Sequence, residues 1–402
     1  MLRSAAGTHA PRTPCAWTSW AAPWAASLEP APGAFVGTFA IPNFCSTDPL
    51  STSRRPKVLI YRPVDETGRS HRQLTEAGCE VVAGELDAEP AALLRAAPDA
   101  DALLGSTFRG GVLGREVLGA FPALRVISKY TIGTDDVDVD AATALGILVT
   151  HCPTEANWGG VAEGTIALML ALLKKLAARD RQVKTGGWRD KGLEGRYVGR
   201  RADGYPGLTI GIVGLGRIGT RVAELLAPWR LRLLAADPYV EAAKFLACGA
   251  ECVDLAVLLR ESDVVTLHCS LTAETRGLIG ARELAAMRPG ALLINTARGP
   301  MVDVEALCDA LEEGRLGGAA LDVLPVEPPP KDSRLLRFGD TLVLSPHMIA
   351  ANQGGTLQAA IPWATEAVLA ALRSLIPEYV CNPEAIARWR VRFGERPLLG
   401  KE

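Results

Sequence analysis

A glycine-rich turn between residues 208 and 237 constrains the fold more than any other stretch of the sequence. An apolar run over residues 208–213 is typical of a buried parallel strand. Apolar residues at helical spacing come after the turn, and a second apolar run over 231–236 ends on Asp237, 18 residues after the last glycine. Three glycines form the G-x-G-x-x-G pattern between strand and helix: Gly214, Gly216 and Gly219. This strand–turn–helix–strand context predicts a dinucleotide site.

Each part of this stretch has a physical role in such a site. Gly214 permits the tight turn, Gly216 lets a pyrophosphate approach the backbone, and Gly219 lets the helix pack closely on the strand. The N-terminus of the helix faces the anion with its unpaired N–H groups. Asp237, at the tip of the second strand, can accept hydrogen bonds from the adenosine ribose. The predicted cofactor is therefore NAD.

Composition narrows the class of protein. A chain of 402 residues is long enough for two domains with good cores. The net charge of −2, with 22% charged residues, gives no sign of a nucleic-acid partner or a membrane surface, and no apolar run reaches the length of a membrane span. Nine scattered cysteines fit reduced thiols in a cytoplasmic protein. The one close pair, Cys248 and Cys252, has no second pair and no nearby histidine, so we expect no metal site.

The first 53 residues do not have the pattern of a domain. They are rich in Ala, Pro, Ser, Thr and Trp, and they contain no acidic residue before Glu29. This composition is compatible with a transit peptide, while the interrupted apolar pattern argues against a secretory signal. We expect residues 1–53 to be a disordered extension or the product of a start codon assigned too far upstream.

Strands and helices alternate from Pro56 onward, which predicts a small α/β domain with a parallel sheet. This first domain has no glycine pattern for phosphates, so the cofactor is expected elsewhere. The predicted strands are 57–61, 79–83, 102–104, 124–128 and 147–150, with helices at 71–77 and 90–96.

A long helix is predicted over 154–179, and a polar, glycine-rich stretch then leads into the nucleotide-binding half. A last helix, over 355–373, is expected to return to the first domain, which otherwise lacks a capping element. The remaining predicted elements are strands at 263–268, 291–296, 318–323 and 342–344 and helices at 240–247, 255–260 and 304–313. The predicted domains are a substrate (catalytic) domain, 54–153 with 348–395, and an NAD-binding domain with a linking helix, 154–347.

Three downstream stretches carry the residues expected to be catalytic. Arg298 follows an apolar strand, and ligands of parallel sheets bind at the carboxyl ends of strands, so we expect Arg298 near the nicotinamide, where its fork suits a carboxylate. His347 also follows a strand, and the acidic loop containing Glu327 precedes it. Of the other four histidines, His151 and His268 lie at strand ends and either could be near the cleft. Together with Arg298 and Glu327, His347 is the preferred catalytic histidine.

The mechanism expected from these residues follows from charge. Hydride addition from a nicotinamide to a carbonyl group builds negative charge on the carbonyl oxygen, so a proton donor must lie beside it. His347 can be protonated near neutral pH, and Glu327 would raise its pKa and hold the ring. Arg298 would orient the carboxylate and polarise the carbonyl.

The chain resembles the D-isomer-specific 2-hydroxyacid dehydrogenase family, especially its phosphoglycerate-dehydrogenase-like branch. The resemblance covers about residues 56–375. It rests on the glycine turn and on these motifs: Gly133-Thr-Asp-Asp-Val-Asp138, Val161-Ala-Glu163, Asp237-Pro-Tyr239, Asn295-Thr-Ala-Arg-Gly299, Asp322–Pro328 and Ser345-Pro-His347. It implies an α/β fold in which a Rossmann-type doubly wound nucleotide domain is inserted in a smaller flavodoxin-like α/β substrate domain. It also implies a cleft that closes over the substrate, a small 2-hydroxy or 2-oxo acid, and a homodimer.

The resemblance also assigns roles to individual residues. Arg298, Glu327 and His347 would be the catalytic three, and Arg298 would also bind the substrate. The backbone of Arg217 and Ile218 would meet the pyrophosphate. Residues implied along the cofactor track are Cys269, Thr296, Ala297 and Asp322, and those implied to hold the substrate carboxylate through their backbone are Thr131, Ile132 and Gly133.

Several positions depart from the family pattern. Thr131 stands where glycine is usual, which narrows the expected substrate pocket, and Ser270 stands where proline is usual. Gly105 stands where phosphoglycerate dehydrogenases have arginine, which argues against a phosphorylated substrate unless Arg109 takes its place. The alternative function is an NAD(H)-sensing, corepressor-like binding protein of the same fold. The presence of Arg298, Glu327 and His347 argues against this alternative, since a protein that only senses NAD(H) needs no proton donor.

Overall fold

The computed structural model describes residues 54–62, 65–84, 89–108, 111–353, 355 and 357–400. These residues form two compact units. We call residues 161–349 the large-sheet unit, and residues 54–160 together with 350–400 the small-sheet unit. The predicted extension 1–53 lies outside the described residues.

The small-sheet unit is built on a five-stranded sheet in which every neighbouring pair is parallel. Its strands are β1 Lys57–Tyr61, β2 Glu80–Ala83, β3 Ala102–Gly105, β4 Val126–Lys129 and β5 Leu148–Thr150, and its first helices are α1 Arg69–Glu76, α2 Ala92–Ala96, α3 Arg115–Gly119 and α4 Val139–Leu145. The strand order β2-β1-β3-β4-β5 is the flavodoxin-like order, as expected. Helices α3 and α4 were not predicted, because helices of five and seven residues are too short to show a helical period in the sequence.

The helix predicted over 154–179 is wrong as a single element. It is divided into α5 Glu155–Leu173 and α6 Leu176–Lys184. The break falls at Lys175, whose φ of 50° is left-handed and cannot continue a right-handed helix. Apolar residues recur on both sides of the break, so the period alone could not show it.

Helix α5 is long and apolar enough for a membrane span by length and composition alone. Its side chains, however, belong to the core of the large-sheet unit: Leu168, Met169 and Leu172 are buried there against β-strand residues. A buried core helix satisfies the same criterion as a membrane helix, and these contacts favour the core.

The large-sheet unit contains a seven-stranded sheet, again parallel throughout. Its strands are β6 Thr209–Val213, β7 Arg232–Ala236, β8 Glu251–Cys252, β9 Val264–Leu267, β10 Leu292–Asn295, β11 Gly318–Leu321 and β12 Leu342–Leu344, and its helices are α7 Arg217–Leu226, α8 Ala242–Ala247, α9 Leu255–Glu261, α10 Ala281–Ala286 and α11 Val304–Glu312. The order β12-β11-β10-β9-β6-β7-β8 reverses between β6 and β9, as in a doubly wound Rossmann sheet. The glycine turn follows β6, so it lies at this switch point, where such sheets bind ligands.

Two helices follow the large sheet in the chain and complete the small-sheet unit: α12 Ile361–Leu372 and α13 Ile386–Phe393. Helix α12 packs on β3, β4 and α1, so the last predicted helix does return to the first sheet. It begins at Ile361, not at Gly355 as predicted, and a short 3₁₀ turn precedes it. Helix α13 was not predicted; its Trp389 is fully buried and donates a hydrogen bond from Nε1 to the carbonyl of Arg125 (2.9 Å).

Candidate active site

The three glycines after β6 each have a separate steric reason. Gly214 has a left-handed φ of 91°, and a Cβ there would lie 2.6 Å from the backbone nitrogen of Cys269. A Cβ on Gly219 would overlap the carbonyl oxygen of Gly214. Gly216 differs, because its φ of −72° suits any residue and a Cβ would meet nothing within 4 Å. Only the space outside the turn explains a glycine at 216, which fits the approach of a phosphate group.

The N-terminus of α7 is open for an anion. The helix begins at Arg217 after Gly216, no side chain caps it, and its first turn holds no acidic residue. Arg217 and Ile218 are the first two residues of the helix, so their backbone N–H groups lie at the positive end of its dipole. The side chain of Arg217 is exposed and that of Ile218 is half-buried. The turn and this helix end together fit the pyrophosphate of NAD.

Asp237 follows β7 and is held by two backbone donors. Its Oδ2 accepts a hydrogen bond from the N–H of Leu215 (2.7 Å), and its Oδ1 accepts one from the N–H of Tyr239 (2.9 Å). Each oxygen retains a lone pair, so the carboxylate can still accept ribose hydroxyls. The bond to Leu215 also ties Asp237 to the glycine turn, a role that the sequence analysis missed.

His347 and Glu327 form a hydrogen-bonded pair after β11 and β12. His347 Nδ1 lies 2.8 Å from Glu327 Oε2, while Glu327 Oε1 accepts from the N–H of Leu324 (2.8 Å). His347 has a φ of 54°, and its N–H donates to the carbonyl of Asp322 (2.8 Å). This left-handed backbone conformation is strained for a residue that carries a Cβ. The hydrogen bonds of His347 to Asp322 and Glu327 offset that strain.

The hydrogen bond between the two side chains raises the pKa of His347 and lowers that of Glu327, and both changes favour a protonated histidine. The hydrogen bond to Glu327 raises the pKa of His347, although burial and the charge of Arg298 oppose it. Burial would raise the pKa of Glu327, but the hydrogen bonds from His347 and from the N–H of Leu324 outweigh it, and the pKa is lowered. An ionised Glu327 beside a protonated His347 is therefore the favoured state of the pair near neutral pH.

Arg298 lies after β10 in the same electrostatic neighbourhood, since its charge acts on both His347 and Glu327. Its Nη1 donates to the carbonyl of Ala297 (2.7 Å), and its own carbonyl accepts from Asn295 Nδ2 (2.9 Å). Next to it, a Cβ on Gly299 would overlap the backbone of Leu324 and Pro325. Gly299 thus lets the loop with Arg298 pack directly on the loop that leads to Glu327, which no pattern in the sequence indicated.

The remaining residues expected along the cofactor track line the ends of β9, β10 and β11. Asp322 is 3% exposed and accepts hydrogen bonds from the N–H groups of Met348 (3.1 Å) and Ile349 (3.2 Å), so it positions the backbone after His347. Burial raises the pKa of the Cys269 thiol to about 11, which makes it unreactive. Thr296 and Ala297 are both buried, and Thr296 shares a 2.9 Å hydrogen bond with Thr165 on α5.

The residues expected to hold the substrate carboxylate belong to the small-sheet unit. Thr131, Ile132 and Gly133 follow β4 and are half-buried. Thr131 Oγ1 donates to the carbonyl of Gly133 (3.0 Å), and the ring nitrogen Nδ1 of His151 lies 3.0 Å from the carbonyl of Ile132. The threonine hydroxyl is thus engaged within its own loop.

The other histidines are distinguished from His347 by their surroundings. Burial lowers the pKa of His268 to about 3, so its ring stays neutral and cannot donate a catalytic proton at neutral pH. His268 Nε2 lies 2.9 Å from the hydroxyl of Thr266. His71 is on the exposed side of α1, and His9 lies outside the described residues. Within the part of the chain that the structure describes, no group of three or more His, Cys, Asp or Glu side chains could hold a metal ion.

Comparison with known proteins agrees with this geometry. The family description "D-isomer specific 2-hydroxyacid dehydrogenase, NAD binding domain" matches residues 166–349. A glyoxylate reductase of Thermofilum pendens is 38% identical over 338 residues, which are 83% of this chain and 96% of the relative. A D-3-phosphoglycerate dehydrogenase of Archaeoglobus fulgidus is 36% identical over 75% of this chain, but the match spans only 54% of that relative.

A solved structure shows the same fold with ligands. The D-lactate dehydrogenase of Aquifex aeolicus, complexed with NAD and lactic acid, is 27% identical, with a TM-score of 0.69 over 82% of this chain and 98% of that one. The fold and site define a two-unit, NAD-binding α/β oxidoreductase. The chain belongs to the D-isomer specific 2-hydroxyacid dehydrogenase family.

Proposed function

We propose that the protein interconverts a D-2-hydroxy acid and its 2-oxo acid with NAD, using His347 as the acid and base. The observation that carries this proposal is the 2.8 Å hydrogen bond between His347 Nδ1 and Glu327 Oε2, together with the charge of Arg298, which acts on both side chains. NAD(H), when bound, supplies or accepts the hydride. The protein supplies the proton and the orientation of the acid.

Glu327 defines which ring nitrogen of His347 reacts. Since Nδ1 is engaged by the carboxylate, Nε2 is the nitrogen that can face a substrate oxygen. In the reducing direction the protonated ring donates from Nε2 to the oxygen on which charge develops, and Glu327 stabilises the imidazolium until then. In the oxidising direction the neutral ring accepts the hydroxyl proton at the same atom.

Arg298 binds the substrate carboxylate and polarises the reacting carbonyl in this proposal. Its guanidinium can form two parallel hydrogen bonds with a carboxylate, which fixes both distance and plane. The backbone of residues 131–133 provides the second hold on the carboxylate, as the family resemblance implies. The domain roles follow: the large-sheet unit binds NAD, and the small-sheet unit binds the acid.

The substrate class we propose is a small, unphosphorylated 2-oxo acid. The chain matches a glyoxylate reductase over 96% of the length of that relative. By contrast, it spans about half the length of the D-3-phosphoglycerate dehydrogenases that it resembles. Gly105, at the end of β3, is fully enclosed, and a Cβ there would overlap Tyr61. An arginine or lysine side chain therefore does not fit at position 105, so this position offers no cation to bind a substrate phosphate. Arg109 lies outside the described residues.

Turnover with a panel of 2-oxo acids tests the proposal. NADH oxidation is followed with glyoxylate, pyruvate, hydroxypyruvate and phosphohydroxypyruvate, and NADH binding is measured separately by its fluorescence. We expect turnover with at least one unphosphorylated acid, and a lower kcat/KM with the phosphorylated one. NADH binding with no turnover on any acid would instead support the NAD(H)-sensing alternative.

We further propose that the protein is a homodimer assembled through the large-sheet unit. Leu176 and Val183, which are one heptad apart on α6, are each more than half exposed, and Trp188 is 73% exposed. Apolar side chains of this size grouped along one segment are typical of an interface. Trp188→Glu should shift the protein to monomer in analytical ultracentrifugation; an unchanged sedimentation coefficient would place any interface elsewhere.

We also propose a cytoplasmic location. Six cysteines within the described residues are free thiols, which is typical of a reducing compartment: Cys79, Cys152, Cys248, Cys269, Cys308 and Cys381.

A further inference from the structure

Arginine side chains gather at one end of the small sheet, at the edge where its strands begin. Asp101 immediately precedes β3 and Arg125 immediately precedes β4. This edge is opposite to the one formed by the strand ends, where residues 131–133 lie. The cluster is therefore separate from the proposed substrate loop within the same unit.

Arg125 is the buried member of the cluster. Arg125 is only 5% exposed, yet the one hydrogen bond that its side chain forms with a described residue is a long contact of 3.5 Å from Nη1 to the hydroxyl of Ser374. Its Nε is buried and has no partner among the described residues. The guanidinium carbon lies 4.9 Å from the ring centroid of Phe393, on α13. A buried guanidinium is normally paired, because desolvating its charge is costly.

The charges of two further arginines of the C-terminal segment, Arg392 and Arg396, act on this guanidinium. The guanidinium carbon of Arg392 lies 4.5 Å from the centroid of the same Phe393 ring, and the group donates to the carbonyls of Leu145 and Pro122. Arg396 is exposed, and its side chain forms no ion pair with any acidic group in the described ranges. Burial lowers the pKa of Arg125 to about 10. The positive charges of Arg396, Arg54 and Arg392 lower this pKa further, whereas the negative charge of Asp101 raises it.

The nearest carboxylate is already engaged. Asp101 accepts two hydrogen bonds from Arg54 Nη2 (2.8 and 2.9 Å) and one from the N–H of Lys57 (2.7 Å). Its single charge thus balances Arg54 and leaves the charges of Arg125, Arg392 and Arg396 without a carboxylate at contact distance among the described residues.

We propose that Arg125, Arg392 and Arg396 form a binding site for a phosphate-class anion. Guanidinium forks match the oxygens of a phosphate, and a dianion balances several of them at once, whereas a single carboxylate offers only one charge. The hydroxyl of Ser374 donates to the carbonyl of Phe393 (2.7 Å) and accepts from Arg125 Nη1, so it positions the guanidinium and leaves the anion to the arginines. The ligand is a phosphorylated small molecule or free phosphate, bound at the end of the small sheet opposite to residues 131–133.

Inorganic phosphate is the probe for this site. The full chain is saturated with NADH, so that the nucleotide turn is occupied, and titrated with phosphate, acetate or chloride at constant ionic strength. Phosphate should raise Tm by on the order of 3 °C at ten times its Kd, with acetate and chloride giving less. Equal effects of the three anions would overturn the proposal. A phosphorylated sugar in place of phosphate shows whether the site takes the free ion alone.

Substitution of the exposed member of the site supplies the specific test. Arg396→Gln should fold normally, keep the wild-type turnover, and weaken phosphate affinity about tenfold in calorimetric titration of the NADH complex. Arg390→Gln, which removes another exposed arginine of the C-terminal segment, on α13, is the matched control and should leave that affinity unchanged. Equal affinity in the two variants would overturn the proposal. Arg125→Lys keeps the charge and loses the fork, and where it folds it should also bind phosphate more weakly.

Discussion

The two sheets end in different ways, although both are parallel and both are covered by helices. At the carboxyl edge of the large sheet, β6 leads into an open glycine turn and an uncapped helix, and β10 and β12 lead to Arg298 and His347. At the same edge of the small sheet, a buried ion pair fills the space: Lys129 Nζ lies 2.5 Å from Asp136 Oδ2, and the two side chains are 0% and 4% exposed. The large-sheet edge is left open for a ligand, whereas at the small-sheet edge the end of β4 is packed as core and only the half-buried loop 131–133 beyond it is partly exposed.

The packing at the small-sheet edge is dense and mostly aromatic around the charge. Tyr61 and Phe108 are stacked with centroids 4.8 Å apart, and Lys129 Nζ lies 5.7 Å from the Tyr61 centroid. Burial lowers the pKa of Lys129, and the carboxylate of Asp136 opposes this shift. The comparison shows that a parallel sheet does not by itself make a nucleotide site. The residues that directly follow the strands determine whether the edge of the sheet can bind a nucleotide.

Removing the proton donor of the open edge should have the largest effect. His347→Ala should lower kcat for reduction of the best oxo acid by roughly 10²–10⁴-fold, with NADH binding nearly intact, because only the proton transfer is lost. Steady-state kinetics and NADH fluorescence titration measure the two quantities. His71→Ala, on the exposed side of α1, is the control and should leave kcat unchanged. A folded His347→Ala protein with wild-type kcat would end the proposed mechanism.

Breaking the ion pair of the packed edge should affect stability before activity. Lys129→Met leaves Asp136 charged and buried, so the free energy of unfolding should fall by about 3–5 kcal/mol. The double variant Lys129→Met/Asp136→Leu should recover much of that loss, since no unpaired charge remains. Urea denaturation followed by circular dichroism gives the values.

The exposed pair Asp180–Lys184 on α6 supplies the matched control for the buried one. Lys184→Met should cost less than about 1 kcal/mol, because exposed ion pairs are screened by solvent. Similar losses for Lys129→Met and Lys184→Met would show that the packed edge does not depend on its charge.

Asp237 tests whether the glycine turn selects its cofactor. Its carboxylate repels a 2′-phosphate and accepts from a free 2′-hydroxyl, so wild-type kcat/KM should be higher with NADH than with NADPH. Asp237→Ala should weaken NADH binding about tenfold and reduce this discrimination, through loss of the ribose contact and of the bond to Leu215. Comparable kcat/KM for the two cofactors in the wild type would contradict the prediction.

The smallest expected effect is a displaced pH profile. Reduction requires protonated His347, so its rate falls as the pH rises through the pKa of that group, which Glu327 raises. Glu327→Gln removes the negative neighbour, and the alkaline limb of kcat/KM for reduction should move to lower pH. The limb of the reverse reaction, which falls as the pH drops, should move in the same direction. Profiles that superimpose with the wild type would show that Glu327 does not act through the histidine.

Much of the fold could be predicted from the sequence because strands and cofactor contacts are local. The apolar runs that became β1, β6, β7 and β12 were located to within a residue, since continuous apolar stretches between turn residues leave few alternatives. Helices α3, α4 and α10 were missed, since each spans fewer than two full turns. The break at Lys175 was missed as well, because a single left-handed residue does not interrupt an apolar period.

The sequence by itself determined the glycine turn, its acidic partner at 237 and the order of strand ends that carry Arg298, Glu327 and His347. Spacing along the chain is enough for these, because each lies at the end of one recognisable strand. Only the tertiary structure decided which histidine can carry a proton, since His268 also ends a strand but is desolvated to a pKa of about 3. Burial and partners distant in sequence set that difference. The same holds for Arg125, whose guanidinium donates its one hydrogen bond within the described residues to a position 249 residues away.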